Sequence, residues 1–199
     1  MKIAMFGGSF NPIHNGHIML AKAFAKELSL DKLLIIPTYI PPHKLGDYSV
    51  SPEQKLDMCR LAVKDIPFAE VSDIEIKRQG ASYTYMTLQE LKKIHPHDEL
   101  YLITGADMFM TIHQWKNPEI IFQLATICGV PRNDDDISHL AQQAEYLHTL
   151  GAKTYILNAN IMTVSSTQIR NNISQNQSIS GLVPPEVESY ILKNRLYVK

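Results

Sequence analysis

Short apolar runs alternate with longer stretches whose apolar residues recur at helical spacing, and the alternation continues along almost the whole chain. Lys2-Ile3-Ala4-Met5-Phe6 reads as a first buried strand, and Ile18, Ala21, Ala25 and Leu28 fall on one face of a following helix. Leu33-Leu34-Ile35-Ile36 predicts a second strand, ended by Pro37. Ser51-Pro52-Glu53-Gln54 is a capping-box start with proline at the first helical position, and its helix runs on through Leu56, Cys59 and Val63. Ala69-Glu70-Val71 and Ile74-Glu75-Ile76 predict short, half-exposed strand pieces. Tyr83 to Ile94 predicts a helix. Leu100 to Thr104, Thr126 to Val130 and Thr154 to Leu157 predict three more strands. Ile137 to Leu150 predicts a rather polar helix, and Pro184-Pro185-Glu186 opens a last one toward Leu192. The stretch from Thr38 to Ser51 is the longest expected loop.

Regular β–α alternation predicts a mostly parallel sheet with helices on both faces, a doubly wound, Rossmann-like α/β fold. Residues 1–199 are expected to form a single domain, with a C-terminal helical subregion from about 165 to 199. In such sheets ligands sit at the carboxyl ends of the strands. That rim should gather Gly7-Gly8-Ser9, Pro41-Pro42-His43-Lys44, Gly105-Ala106-Asp107, Pro131-Arg132 and Ser165-Ser166-Thr167.

Composition narrows the partners. The 199 residues hold 19 Lys and Arg against 20 Asp and Glu. That balance argues against a broad basic face for nucleic acid and against a polybasic membrane patch. Small anionic substrates need only a local cluster and stay open, as does a homo-oligomer. No apolar run approaches the ~20 residues of a membrane span, and the N-terminus lacks a signal-peptide pattern. Cys59 and Cys128 have no Cys-x-x-Cys spacing, so a cytoplasmic location with both thiols buried is expected.

The densest chemistry lies in Gly7-Gly8-Ser9-Phe10-Asn11-Pro12-Ile13-His14-Asn15-Gly16-His17, between the first strand and the first helix. A helix start carries unpaired N–H groups and partial positive charge, which suits phosphate. Glycines allow close backbone approach, and two imidazoles on the rim could donate to phosphate oxygens. The turn is neither a P-loop nor the Gly-x-Gly-x-x-Gly fingerprint. His14 and His17 could instead hold a metal, with His43 as third ligand. Other residues have plain structural readings as well. Ser165-Ser166-Thr167 could simply cap a helix. Gly105-Ala106-Asp107 could be a bare turn, Trp115 a packing residue, and Lys44 and Arg132 solvated charges. Asp134-Asp135-Asp136 reads as a solvated loop.

His14-Asn15-Gly16-His17 together with Val164-Ser165-Ser166-Thr167-Gln168-Ile169-Arg170 resembles the His-x-Gly-His nucleotidyltransferase superfamily. Within it, Ile40-Pro41-Pro42-His43-Lys44, Ser82-Tyr83-Thr84, Gly105-Ala106-Asp107 and Trp115 resemble the bacterial nicotinate-mononucleotide adenylyltransferases. The pattern departs at Asn11, where many members carry Asp, and at Tyr39 and Lys116.

The resemblance implies adenylyl transfer from ATP to nicotinate mononucleotide, with nicotinate adenine dinucleotide and pyrophosphate as products. It implies catalytic roles for His14, His17 and Arg170. It implies ATP contacts from Gly7, Gly8, Ser9, Phe10, His14, His17, Gly105, Asp107, Ser166, Thr167 and Arg170. Tyr39, His43, Lys44, Tyr83, Thr84, Trp115 and Arg132 are implied for the mononucleotide. Mg²⁺ is expected on the ATP phosphates rather than in a protein cage. A nicotinamide mononucleotide acceptor and a non-catalytic nucleotide sensor are the competing readings. His17 is expected on an exposed rim, so that its loss should leave folding nearly unaffected.

Overall fold

The computed structural model describes residues 1–41, 50–131, 134–157, 159 and 162–198, with only the backbone at 134 and 135. Among these, six strands form one sheet: β1 (Lys2–Gly8), β2 (Lys32–Pro37), β3 (Ala69–Val71), β4 (Glu99–Ile103), β5 (Ala125–Gly129) and β6 (Lys153–Ile156). Their order is β3-β2-β1-β4-β5-β6, and every pairing is parallel. The chain direction of the winding reverses between β1 and β4. That is the switch point beside which a doubly wound sheet leaves a crevice.

Alternation along the strands feeds two cores. Ala4 and Phe6 of β1, with Leu33 and Ile35 of β2, face α1 (Asn15–Leu28), α2 (Pro52–Val63), α8 (Ser166–Ser174) and α9 (Pro185–Lys193). Ile3 and Met5, with Leu34, Ile36, Leu100 and Leu102, face α4 (Thr84–Ile94), α5 (Ala106–Thr111), α6 (Pro118–Leu124) and α7 (Asp134–Thr149). A strand buried on both faces cannot be polar on either, which is why these runs are continuously apolar. At Gly129 the sheet meets Phe109 so closely that an added Cβ would lie 2.7 Å from its ring.

The capping box expected at Ser51 is present. The Ser51 side chain accepts from the Gln54 N–H, and the Gln54 side chain accepts from the Ser51 N–H. The expected strand piece at Ile74-Glu75-Ile76 is instead a short helix, α3 (Ile74–Arg78), with Glu75 buried. Two isoleucines flanking a charge fit period two, but here Glu75 itself faces inward to polar partners. Between β4 and β5 the chain forms α5, a 3-10 turn (Ile112–Gln114) and α6, none of which the apolar pattern resolved. Asp134 to Asp136 form the first turn of α7 rather than a loop. Both cysteines are free and buried, as expected, and burial pushes each thiol pKa upward.

Candidate active site

The turn after β1 packs tightly on itself. Phe10 takes a left-handed backbone (φ 43°), and its ring lies over Gly8, where a Cβ would stand 3.1 Å from it. The side-chain space at Gly8 is therefore filled by the turn's own phenylalanine. The chain then enters α1 through His14, the N-cap residue.

His14 and His17 form a reciprocal capping box. The His17 N–H donates to His14 Nδ1 at 3.3 Å, and the His14 N–H donates to His17 Nδ1 at 3.2 Å. Each Nδ1 is thus an acceptor without a hydrogen, so each neutral ring carries its hydrogen on Nε2 as a donor. The rings stack with centroids 3.6 Å apart, and Phe6 and Phe10 meet His17 edge-on. Burial is the main reason both imidazoles resist protonation. It lowers His14 to about 4 and His17 well below the usual 6.5, with His14 adding repulsion to His17. His17 therefore does not stand on an exposed rim: most of its ring is packed, although part reaches solvent. The metal reading loses ground on the same geometry, since both Nδ1 atoms are occupied by backbone N–H. Among the described residues no group of three or more His, Cys, Asp or Glu side chains could hold a metal ion.

The start of α8 converges on the same turn. Ser165 is its N-cap, accepting from the Gln168 N–H at 3.1 Å. Ser166 Oγ donates to the Pro12 carbonyl at 2.9 Å, and Arg170 Nη1 donates to the Asn11 carbonyl at 2.7 Å. Arg170 Nη2 reaches Thr167 Oγ1 at 3.3 Å. The Met162 carbonyl lies where a Cβ on Gly16 would come within 3.0 Å. The C-terminal segment adds further ties. The Asn15 N–H and side-chain amide donate to the carbonyls of Leu182 and Gly181, and the Tyr197 hydroxyl donates to Asn11 Oδ1 at 2.7 Å. Neither α1 nor α8 has an acidic residue in its first turn. Two helix N-termini, a guanidinium and two ring donors thus share one place with no carboxylate in either first turn, an arrangement suited to a polyanion.

Across the switch point, Gly105 is the N-cap of α5, with open space where its side chain would be, and Asp107 is exposed in the first turn. On the other side, β2 leads to Tyr39, whose N–H donates to Ser82 Oγ at 2.9 Å, while the Ser82 N–H donates to the Ile40 carbonyl. Tyr39 is thereby held beside Tyr83, the N-cap residue of α4, and Thr84, its first residue. The Lys116 ammonium lies 4.6 Å from the Tyr83 ring centroid, which gives this departure from the family pattern a local partner and ties the Trp115 segment to the Tyr83 turn. Trp115 is half-buried against the core on the α4–α7 side of the sheet. His43, Lys44 and Arg132 lie outside the described residues. The supporting roles of Asn11 and Tyr197 were not foreseen from sequence. Single polar residues far apart in the chain carry no periodic or spacing signal.

The cytidylyltransferase-like family model matches residues 5–172, a span that includes both converging helix starts. A curated relative from Geotalea daltonii, named a probable nicotinate-nucleotide adenylyltransferase, is 37% identical, covering 99% of this chain and 98% of the relative. One of the same name from Carboxydothermus hydrogenoformans is 39% identical, covering 98% of each. The fold is also that of the Plasmodium falciparum nicotinic acid mononucleotide adenylyltransferase complexed with NaAD. That structure has a TM-score of 0.80 at 19% identity, over 98% of this chain and 97% of the other. The chain belongs to the cytidylyltransferase-like family and, within it, to the nicotinate-nucleotide adenylyltransferases.

Proposed function

We propose that this protein transfers the adenylyl group of ATP to nicotinate mononucleotide. An oxygen of the mononucleotide phosphate attacks the α-phosphorus, the bond to the β-phosphate oxygen breaks, and pyrophosphate leaves in line. The observation that carries the reading is the convergence of the α1 and α8 N-termini around His14, His17, Ser166 and Arg170, in a chain whose family performs this chemistry. The nucleophile is already an anion, so no strong base is needed; alignment and charge neutralisation are the tasks.

In this reading the neutral Nε2–H donors of His14 and His17 face the ATP phosphates, with His17 nearest the charge developing around the α-phosphoryl group. Gly7, Gly8, Ser9 and Phe10 supply the turn's contacts. Ser166, Thr167 and Arg170 hold the β- and γ-phosphates, while Gly105 and Asp107 take the adenosine. Tyr39, Tyr83, Thr84 and Trp115 receive the nicotinate end; His43, Lys44 and Arg132 remain candidates for its phosphate. Mg²⁺ would accompany ATP, held mainly by its phosphate oxygens. When bound it neutralises phosphate oxygens. Residues 1–199 work as one nucleotidyltransferase domain, with the helical subregion from about 165 closing on the first turn. Among the described residues no helix is long and apolar enough to cross a membrane, and two free buried thiols fit a cytoplasmic enzyme.

Pyrophosphate release from ATP, assayed with nicotinate mononucleotide, with nicotinamide mononucleotide and with neither, tests the reading. Release only with the acid is expected. Nucleotide binding without turnover on either acceptor would favour a sensor.

A further inference from the structure

The inward face of α7 is apolar at Leu140, Ala144 and Leu147, yet Gln143 stands among them, 8% exposed. A buried amide costs free energy unless it is hydrogen-bonded. Gln143 finds its partner outside its own helix: its Nε2 donates to His113 Nδ1 at 3.0 Å. His113 is the middle residue of the 3-10 turn Ile112–Gln114. Its ring also meets the Tyr146 ring edge-on, with centroids 5.4 Å apart. Gln143 and Tyr146, three apart on α7, therefore hold the imidazole together.

That turn delivers Trp115. Ile112 is fully buried, and the Trp115 N–H donates to its carbonyl at 3.1 Å. Trp115 then leaves in an extended conformation, and Asn117 takes a left-handed backbone (φ 52°) to open α6. Ile112, set in the core, fixes one side of this short turn, and His113, bonded to α7, fixes the next. A three-residue turn held at two successive residues cannot swing about its own axis, so the direction in which it presents Trp115 is set. With Nδ1 accepting, the neutral His113 ring carries its hydrogen on Nε2. That nitrogen lies 3.2 Å from the side-chain amide of exposed Gln114, whose oxygen can turn to accept the hydrogen.

For packing alone, leucine at position 143 would continue the apolar face of α7. What the amide–imidazole bond adds is direction, because a hydrogen bond weakens steeply as its angle departs from linear.

We propose that Gln143 and His113 are positioning residues for the acceptor half of the site: Gln143 fixes the His113 ring, and through it the turn that presents Trp115 to the pyridine ring of the mononucleotide. This rests on the acceptor reading given above.

Trp115 is the only tryptophan, so intrinsic tryptophan fluorescence reports on this one ring. Gln143→Leu and His113→Phe each remove the bond and keep apolar volume, and the second also keeps a ring against Tyr146. In the full chain each substitution should move the Trp115 emission to longer wavelength, as a half-buried indole loosens into solvent. Each should also raise the KM for nicotinate mononucleotide about three- to tenfold, the scale of one net hydrogen bond. The KM for ATP should stay within about twofold, a change small beside that loss. The double variant should be no worse than the poorer single one, because both remove the same bond. Gln143→Leu added to Trp115→Ala should leave the acceptor KM where Trp115→Ala alone puts it, since no indole remains to be positioned. A merely structural contact would lower the melting temperature while leaving the emission and both KM values of the folded protein unchanged, or would move both KM values together; either result overturns the proposal. A further rise in acceptor KM on the Trp115→Ala background overturns it as well. Should Gln143→Leu fail to fold, His113→Phe decides, since an unmoved acceptor KM there removes the link. Wild-type protein that forms no dinucleotide from ATP and nicotinate mononucleotide would sink the acceptor reading itself, and this proposal with it, whatever the fluorescence of the variants.

Discussion

Tyr197 donates its hydroxyl hydrogen to Asn11 Oδ1 at 2.7 Å, joining residues 186 positions apart. The other end of Asn11, its carbonyl, accepts Arg170 Nη1 at the same distance. Asn11 is itself buried in the turn that carries the histidines. The C-terminal segment thus helps to set the direction of the guanidinium that we assign to the ATP phosphates.

Tyr197→Phe removes that hydroxyl while keeping the ring. One net hydrogen bond is worth ~0.5–1.5 kcal/mol, so the KM for ATP should rise ~2–10-fold. The acceptor KM should change little. A variant with a lower melting temperature but an unchanged ATP KM would show that Tyr197 only secures the terminus.

His17→Ala should lower kcat by ~10²–10³, the usual loss for one transition-state donor. It should also destabilise, because His17 closes the capping box and is packed by Phe6, Phe10 and His14. Loss of a cap alone costs ~1 kcal/mol, visible as a lower urea midpoint. His17→Asn offers a side-chain acceptor at the same helix position and should recover part of the stability without the turnover. Near-normal turnover in a folded His17→Ala protein would remove the residue from the mechanism.

The same two rings make stability depend on pH in a definite direction. In the unfolded chain a histidine titrates near 6.5; folded, His14 is held at about 4 and His17 well below 6.5, both chiefly by burial. Between these values the unfolded state binds more protons, so stability falls as pH falls. The contribution is complete above about 6.5 and is lost progressively toward about 4. Protonation would also place a hydrogen on each Nδ1 and break the cap. Urea midpoints at pH 7.5 and pH 5.5 should differ, and His14→Asn should reduce the difference. Equal pH slopes in the two proteins would contradict this account.

Gly129→Ala tests the contact between β5 and α5. The new methyl would meet the buried Phe109 ring at 2.7 Å. Overpacking of this kind costs ~1–3 kcal/mol. Thermal unfolding should show the loss, with KM values for both substrates nearly unchanged. A wild-type melting temperature would mean that Phe109 moves aside freely.

Much of the fold was legible because a two-faced parallel sheet writes long apolar runs into the chain. Lys2 to Phe6, Leu33 to Ile36 and Leu100 to Thr104 each mark a strand within two residues of its observed ends. Helices with an amphipathic stripe or a cap, such as α1 and α2, were equally visible. The short helices α3, α5 and α6 were not. Five to seven residues hold too few turns for a period to emerge, and at Ile74–Ile76 the wrong period fits. At the site, the motif segments at His14–His17 and Ser165–Arg170 announced themselves, and their convergence follows from the shared carboxyl edge of the sheet. The histidine capping box did not, because histidine is not among the usual N-cap residues. Nor did the hold of Tyr197 on Asn11, which depends on where the chain returns after 186 residues.

The acceptor prediction follows from charge. Nicotinate and nicotinamide mononucleotides differ only in a carboxylate against an amide on the pyridine ring. A site built for a carboxylate presents donors and no acceptor, so the amide NH₂ would face another donor and lose its bonds. Thr84 and the N–H groups at the start of α4 are the donors we assign, with Trp115 as the stacking face. Lys116, set over Tyr83, adds positive charge nearby, which also favours the acid. Unpaired buried polar groups can discriminate by several powers of ten. We expect kcat/KM at least ~10²-fold higher for the acid, equivalent to ~2.7 kcal/mol. Trp115→Ala should weaken both acceptors alike, since stacking does not read the carboxylate. Thr84→Ala should narrow the gap between them, because it removes the donor assigned to the second carboxylate oxygen, the position that the amide fills with NH₂. Lys116→Ala should narrow it less, and more at low salt than at high, as an exposed charge acts through screened solvent. Equal efficiency with the two mononucleotides in the unmodified enzyme would overturn the nicotinate preference while leaving adenylyl transfer in place.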